Sequence, residues 1–474
     1  MKLVKAIQPV ALLLILLVGC GINQKREMEI YRSVLDEGQV APADVFNPTD
    51  PLTLKEALGI ANTHSEALAL SGEDYLQALI NKDRAFARFL PTIAFAPSFM
   101  RQEKTSLAAE NPLIEKFVRD QAVDMPVEGG VRTAPLSDIP AVSQAAYSAE
   151  MKRALLLDGR AVLMLDVAQT YYQVLRAENE IDVLSHSVEV QTRRVSDISA
   201  RNKAGVARSL DVSQAKARLS ETRTAVIRAE NDAKNGRAML AMLLGVPDVK
   251  GKLIDGFEVP TGDWPVASLI DQAMTHREDL QASHARVSAA AKQLQAAWGE
   301  YFPSVSLNLT RYLSRESFPE DVDWTGLLAV RIPIFSAGLV HADVRTAYSR
   351  LRQANFSDSL LRRRIVKELR SAREDLIDTD RRIKEINIQI SAAKDAARQV
   401  DAAYRSGTAI NLEAITARDD QLKAELAGTS ARFERTVNYL RLLRAVGCLD
   451  TTLSQSPIPV REVSSTRKDA VSSP

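Results

Sequence analysis

The most regular feature of the chain is an apolar residue at every seventh position. Val167, Val174, Ile181, Val188 and Val195 form one series, Val212, Leu219, Val226, Ala233 and Leu240 a second, and Leu369, Leu376, Ile383, Ile390 and Ala397 a third. A period of seven is the seam of a coiled coil, about 3.5 residues per turn. Proline, which interrupts helices, is absent from Ala141 to Val246 and again from Ile334 to Ser456. Both stretches therefore predict long helices, each broken once, at Gly205 and Gly407. Glycine can take the left-handed conformation that ends a helix, and Ser209 and Asn411, each four residues on, are candidate caps for the next one. Each stretch reads as a tight helical hairpin. The arm before Gly205 starts near Ser137-Asp138-Ile139-Pro140 and runs on the order of 95 Å, too long for a globular core element.

A second period, of two, marks short strands. Val305, Leu307 and Leu309 alternate with Ser304, Ser306, Asn308 and Thr310, and Ile93, Phe95 and Phe99 alternate with Thr92, Ala94, Ala96 and Ser98. Partner strands are expected at Asp124–Ala134, with Met125, Val127 and Val131 on one face, and at Trp324–Ile334, with Leu328, Val330 and Ile332. The chain also repeats itself. His64-Ser65-Glu66-Ala67-Leu68 returns as His276-Arg277-Glu278-Asp279-Leu280, and Phe89-Leu90-Pro91 as Tyr301-Phe302-Pro303. Further on, the first heptad series matches the third, Gly205 matches Gly407, Asp211 matches Glu413, and Gly245 matches Gly447. The expected organisation is a first repeat over 52–245 (strands about 91–104 and 124–136, hairpin tip 204–209) and a connection over 246–264. A second repeat covers 265–447 (strands about 303–313 and 324–335, tip 406–411), followed by a polar tail over 448–474.

Composition narrows the function. The 474 residues carry 61 Lys+Arg against 60 Asp+Glu, a net charge of +1, so no basic field points to nucleic acid. Two cysteines exclude a disulfide framework, and five scattered histidines show no metal-ligand spacing. At the N-terminus, Lys2 and Lys5 precede the apolar run Val10–Val18, which is a secretory signal over residues 1–19, too short to span as a mature helix. It ends in Leu17-Val18-Gly19-Cys20, a string similar to the bacterial lipoprotein box, in which the cysteine is acylated. Residues 20–51 then read as a lipidated segment and a proline-marked linker. No later stretch is apolar enough for a transmembrane helix, so any membrane passage uses strands. Four strands cannot close a barrel and open edges are not tolerated in lipid, so several chains must share one barrel.

The duplication, the two strand entries, the string Val330-Arg331-Ile332-Pro333-Ile334-Phe335-Ser336-Ala337-Gly338, and the tips Ala204-Gly205-Val206 and Ser406-Gly407-Thr408 resemble the TolC-like outer-membrane efflux proteins, of lipoprotein type. The resemblance covers nearly all of residues 52–447. It implies a mainly α fold with a small β part: long coiled-coil hairpins plus four transmembrane strands per chain, in a homotrimer with an α-barrel and a shared barrel of twelve strands. It also implies an exit duct in the cell outer membrane, docked to a periplasmic adaptor (a membrane fusion protein) and an inner-membrane pump, without catalytic residues, metal or cofactor. Site residues follow from the same resemblance. Glu413 corresponds to an acid that lines the tunnel constriction, while Thr416 stands where a second acid is usual. Asp211 and Tyr404 correspond to two members of a latch between hairpins, and Ala409 stands where its arginine would be. Gly205, Val206, Gly407 and Thr408 are the expected adaptor-docking tips. The rival readings are a periplasmic coiled-coil adaptor or structural envelope lipoprotein, which would need one hairpin and a β-rich binding domain, and an envelope enzyme, which would show a nucleophile, metal or cofactor motif.

Lipidation is directly testable. Mass spectrometry of the mature N-terminus should find an acylated Cys20 in a chain that has lost residues 1–19; an unmodified start at another residue would refute it.

Overall fold

In a computed structural model of the chain, residues 23–36, 47–103, 121–260, 262 and 264–449 are described. The signal segment, Cys20 and the tail beyond Leu449 lie outside them. After a first helix, α1 (Gln24–Asp36), the elements run in two matching series. The first is β1 (Leu52–Thr53), α2 (Leu54–His64), α3 (Glu66–Ala87), β2 (Thr92–Phe95), β3 (Ser98–Arg101), β4 (Gln121–Asp124), β5 (Pro126–Thr133), α4 (Pro135–Lys203) and α5 (Ser209–Leu244). The second is β6 (Leu253–Ile254), α6 (Val266–His276), α7 (Glu278–Gly299), β7 (Ser304–Tyr312), β8 (Trp324–Arg331), α8 (Leu339–Ser406) and α9 (Asn411–Val446). Helices α3 and α7 have 22 residues each, α5 and α9 have 36 each, and α4 and α8 have 69 and 68. At about 1.5 Å per residue, α4 and α8 each run roughly 100 Å. All the heptad positions of the three series are buried or half-buried, as a coiled-coil seam requires. No helix among the described residues is long and apolar enough to cross a membrane.

The chain divides into two compact units. The first holds α1 up to Val34, 72–155 and 279–360. Its sheet has the order β2-β5-β7-β8, all antiparallel. Register sorts the side chains by chemistry. Ile93 opposes Gly129, Gly129 opposes Leu309, Val131 opposes Leu307, Leu307 opposes Leu328, and Val305 opposes Val330. These residues share one face, apolar except for Arg311 opposite Val127 and Thr133 opposite Val305, and uncovered: Ile93 is 77% exposed and Leu328 68%. The other face carries Thr92, Glu128, Asn308, Thr310, Arg132, Ser306 and Arg331, with Ala94, Leu327 and Ala329 among them.

Strand limits differ from the sequence expectation at three places. The first strand is interrupted at Ala96-Pro97, because Pro97 has no N–H to donate, and resumes as β3 on β4 in unchanged register. Its partner starts at Gln121, earlier than Asp124, since Gln121–Asp124 pair with Ser98–Arg101. Met125 turns to the other neighbour, donating to Ser314 O and accepting from Leu313 N. The last strand stops at Arg331 rather than near 335, with Pro333 just beyond.

The helices of this unit follow the order of the strands they join. Helix α3 leads into β2, β5 into α4, α7 into β7 and β8 into α8. Lys152 of α4 bonds Asp74 of α3 at 2.7 Å, and Ser283 of α7 bonds Asp358 of α8 at 2.8 Å. Between them α4 and α7 touch backbone to backbone. Pro140 leaves the Leu136 carbonyl without its helical donor, and a Cβ on Gly299 would fall 2.1 Å from that oxygen, so only glycine fits. The helical layer therefore reads α3-α4-α7-α8. In the second half of α1, Tyr31 packs its ring on Gly72, where a Cβ would lie 2.4 Å from it.

The second unit holds 35–71, 156–278 and the chain from Leu361 onward. Its two repeats are tied by a parallel pair, β1 on β6, with Leu52 opposite Leu253. Helix α2 starts with a capping box, Thr53 Oγ1 accepting from Glu56 N–H and Glu56 from Thr53 N–H. Tyr171 of α4 is fully buried beneath the strand pair. Its hydroxyl lies 2.7 Å from Leu52 O and 2.8 Å from Ile254 O, and accepts from Ile254 N–H at 2.9 Å. Tyr172 beside it stacks edge-on at 5.6 Å and touches Phe433, while Tyr439 packs on Trp264 and Phe257. Arg160, also buried, donates to Leu35 O at 2.6 Å.

Burial pushes the Tyr171 hydroxyl up to about 12, against 10.0 for a free tyrosine, and raises Tyr172 and Tyr439 as well. An acid whose pKa is raised by folding stabilises the native state fully below pH 10, and that contribution disappears as pH rises through about 12. Denaturant midpoints should hence be flat near neutrality and fall above pH 10. Tyr171→Phe should cost about 1–3 kcal/mol at pH 7, by stranding buried backbone groups, and flatten the alkaline fall. A midpoint unchanged between pH 10 and 12 would contradict this assignment.

Candidate functional site at the hairpin tips

Each hairpin turns on the same set of backbone bonds. Gly205 and Gly407 have φ of 75° and 82°. Gly205 N–H donates to Asn202 O and Val206 N–H to Arg201 O, while Gly407 N–H donates to Tyr404 O and Thr408 N–H to Ala403 O. This is the Schellman ending, which needs a left-handed residue at the turn and so selects glycine. Gly245 and Gly447 end α5 and α9 in the same way.

The caps of the returning helices correct the sequence reading. Ser209 and Asn411 are the first helical residues; Arg208 and Ile410 occupy the N-cap and supply no side-chain cap bond. Acids three residues on replace them. Asp211 accepts from Arg208 N–H at 3.1 Å and Glu413 from Ile410 N–H at 3.1 Å. A carboxylate reaching back from the first turn satisfies the orphan donor and complements the helix dipole. The two acids differ in environment. Asp211 is buried and also takes the Arg208 guanidinium, whereas Glu413 is exposed. Thr416 bonds its own helix, donating to Leu412 O.

Residues on α4 and α8 that the sequence reading missed join the hairpins. Arg194 donates to Asp401 at 3.2 Å and to Asn411 Oδ1 at 3.2 Å, and the second Asp401 oxygen accepts from Arg418. Asn411 in turn donates to Asp211 O. Arg218 of the first hairpin pairs with Asp419 of the second. The Tyr404 ring lies between two guanidinium groups of α4, Arg194 at 4.9 Å and Arg201 at 5.2 Å. Asp211 and Tyr404 make no bond to each other among the described residues. Arg194 and Arg201 thus sit on the first hairpin, facing Tyr404 and Asp401 on the second. The available signal was that Arg194 and Arg201 are one heptad apart and share a helix face. The network is partly buried: Arg194 and Asp401 side chains are 17% and 18% exposed. Among the described residues no His, Cys, Asp and Glu cluster could hold a metal ion. The site is built for mechanical joining of two hairpins by matched charges.

Val206 is 77% exposed at the first tip, and Thr408 is exposed at the second with its hydroxyl bonded to Ala403 O. Main-chain groups at these turns are left for an outside partner or water.

A family model for the outer membrane efflux protein matches residues 81–246 and 269–448, one match on each repeat. Protein CyaE of Bordetella pertussis is 26% identical over 360 residues, 71% of this chain and 74% of that protein. The probable outer membrane lipoprotein SilC of Salmonella typhimurium is 23% identical over 63% of this chain, which spans 66% of its length. Among solved structures, the Campylobacter jejuni CmeC outer membrane channel is similar with a TM-score of 0.75 at 16% identity, over 84% of this chain and 86% of that one. That likeness speaks for the fold, a helical barrel with strands. With both repeats matched, the chain belongs to the outer membrane efflux protein family.

Proposed function

We propose that three copies of this chain form the exit duct of a tripartite efflux or secretion system in the outer membrane. The observation that carries this reading is the sheet of the first unit. It has one apolar face left open, one polar face and, among the described residues, four strands across, with no strand on the outer edges of β2 and β8. Single-chain barrels begin at about eight strands, so closure needs further copies, and three give twelve. Family membership supports the same reading, as do the names of similar proteins, an outer membrane lipoprotein and an outer membrane channel. Acyl chains on Cys20 add a lipid anchor without spanning. The long helices continue the duct into the periplasm, where the tips around Gly205, Val206, Gly407 and Thr408 meet an adaptor fed by an inner-membrane pump.

Glu413, with Asp211 and Tyr404 nearby in the tip regions, forms the constriction in this reading. Three copies of Glu413 around an axis repel one another, and a bound cation relieves the repulsion. One ring, without an acid at 416, holds divalent cations less firmly than two rings would.

Two experiments test these assignments. Glu413→Gln keeps an oxygen for Ile410 N–H, so the turn survives; in planar-bilayer recordings it should cut the cation-to-anion permeability ratio by about half or more and weaken divalent block, with the trimer intact. Unchanged selectivity and block would leave Glu413 as a helix-start acid alone. A photo-crosslinker at Val206 or Thr408 should label an adaptor in cells; labelling confined to positions near the strands would reverse the proposed orientation.

A further inference from the structure

The network that joins the hairpins encloses a cavity of about 570 Å³, lined by side chains of α4, α5, α8 and α9. Its wall is not balanced in charge. Arg193, Arg194, Arg201, Arg218, Arg405 and Arg418 stand against Asp197, Asp401, Asp419 and Glu425, six permanent cations to four carboxylates. The carboxylates are all engaged. Asp401 accepts from Arg194 and Arg418, Asp419 pairs with Arg218, Asp197 with Arg201 at 3.2 Å, and Glu425 with Lys394 at 3.3 Å. Arg193 turns to Glu189 at 3.6 Å, while Arg405, exposed on the second hairpin, pairs with no acid among the described residues.

Hydrogen-bond donors are left over as well. The Nε–H groups of Arg194 and Arg218 are buried and, among the described residues, donate to nothing. The other nitrogens of both guanidinium groups are taken, by Asp401 and Asn411 for Arg194 and by Glu221 and Asp419 for Arg218. The two orphaned donors sit at one level of the first hairpin. Gln191 of α4 donates to Thr222 of α5 at 3.0 Å, and three residues toward the tip on α4 and four on α5 lead to Arg194 and Arg218, a difference of about 1.5 Å. This pair is not a product of the duplication, since the matching positions of the second repeat are Ala396 and Asp420.

A buried charged donor without an acceptor marks the place of a water or an ion. Water brings an oxygen but no charge. With a surplus of cations on the wall and every lining carboxylate committed, an anion meets both needs, and single N–H groups from two helices suit an ion with several oxygens, each taking one bond. The volume is many times the roughly 30 Å³ of one water, so such an ion fits with part of its hydration. We propose that this cavity binds a small tetrahedral oxyanion, of the class of inorganic phosphate and sulfate, on Arg194 and Arg218 of the first hairpin and Arg405 of the second. The ion braces the hairpins through contacts that they do not make directly, beside the pairs Arg194–Asp401 and Arg218–Asp419. Binding of this kind involves one chain alone and stands apart from the duct reading.

Isothermal titration calorimetry on the full-length chain in detergent tests it, with phosphate added at an ionic strength held constant by chloride. Calorimetry is needed because phosphate and sulfate stabilise folded proteins by exclusion from their surfaces, without a site. The unmodified chain should bind one phosphate per chain with saturation, and sulfate should compete. Arg194→Met or Arg218→Met should weaken binding about tenfold and Arg405→Gln about threefold, while Arg223→Gln, at an exposed position of α5 outside the cavity, should leave it unchanged. Phosphate should also slow amide hydrogen exchange on both hairpins. The absence of saturable heat from the unmodified chain means water alone in the cavity and overturns the proposal. Saturable binding that none of the three cavity variants weakens overturns it too, by placing the ion elsewhere. Where the methionine variants fail to fold, Arg405→Gln, at an exposed and unpaired position, decides by itself. None of these outcomes bears on the duct reading, which the bilayer and crosslinking experiments test separately.

Discussion

A backbone N–H or C=O without a partner in hydrocarbon costs several kilocalories per mole, and two strands, β2 and β8, have outer edges that find no partner among the described residues. In the proposed duct, other copies supply those partners. The open apolar face of the sheet, with Ile93 and Leu328 largely exposed, suits lipid and would be a liability in water. The layer α3-α4-α7-α8 repeats the strand order β2-β5-β7-β8, so the edges of helices and strands coincide. Closing one closes the other.

The inner contacts follow a different rule, in which room for backbone matters more than apolar area. Gly299 against Leu136 and Gly72 beneath Tyr31 are positions where a single methyl group would displace main chain or ring. Close approach at these points lets thin helices, with few aromatic residues, form a continuous layer. Within the second unit, aromatic residues gather around Tyr171, Tyr172, Phe433 and Tyr439.

Periodic features were the legible ones. The heptad series, the alternation at 304–310 and the glycine turns each announce themselves through local spacing, because a helix or strand repeats its environment along the chain. Gln121–Asp124 was not legible: its residues do not alternate, and their pairing is dictated by Ser98–Arg101 across an intervening segment. Nor was the cap at Glu413 read correctly, since Asn411 looks like a cap until its side chain is seen engaged with Arg194 and Asp211 O. Arg194 lies some 200 residues before Asp401 and Tyr404 in sequence, and its one-heptad spacing from Arg201, though visible, does not name the partner across the hairpins.

The pairing of Leu52 with Leu253 sets a temporal order as well as a fold. Hairpin contacts around Gly205 and Gly407 close loops of a few residues, whereas β1 on β6 must bring together segments on either side of the whole first repeat. The entropy of closing a loop rises with its length, so the chain completes its turns before its ends meet. A chain emerging N-terminus first can thus fold its first hairpin before the second has emerged, while β1 waits for a partner made one repeat later.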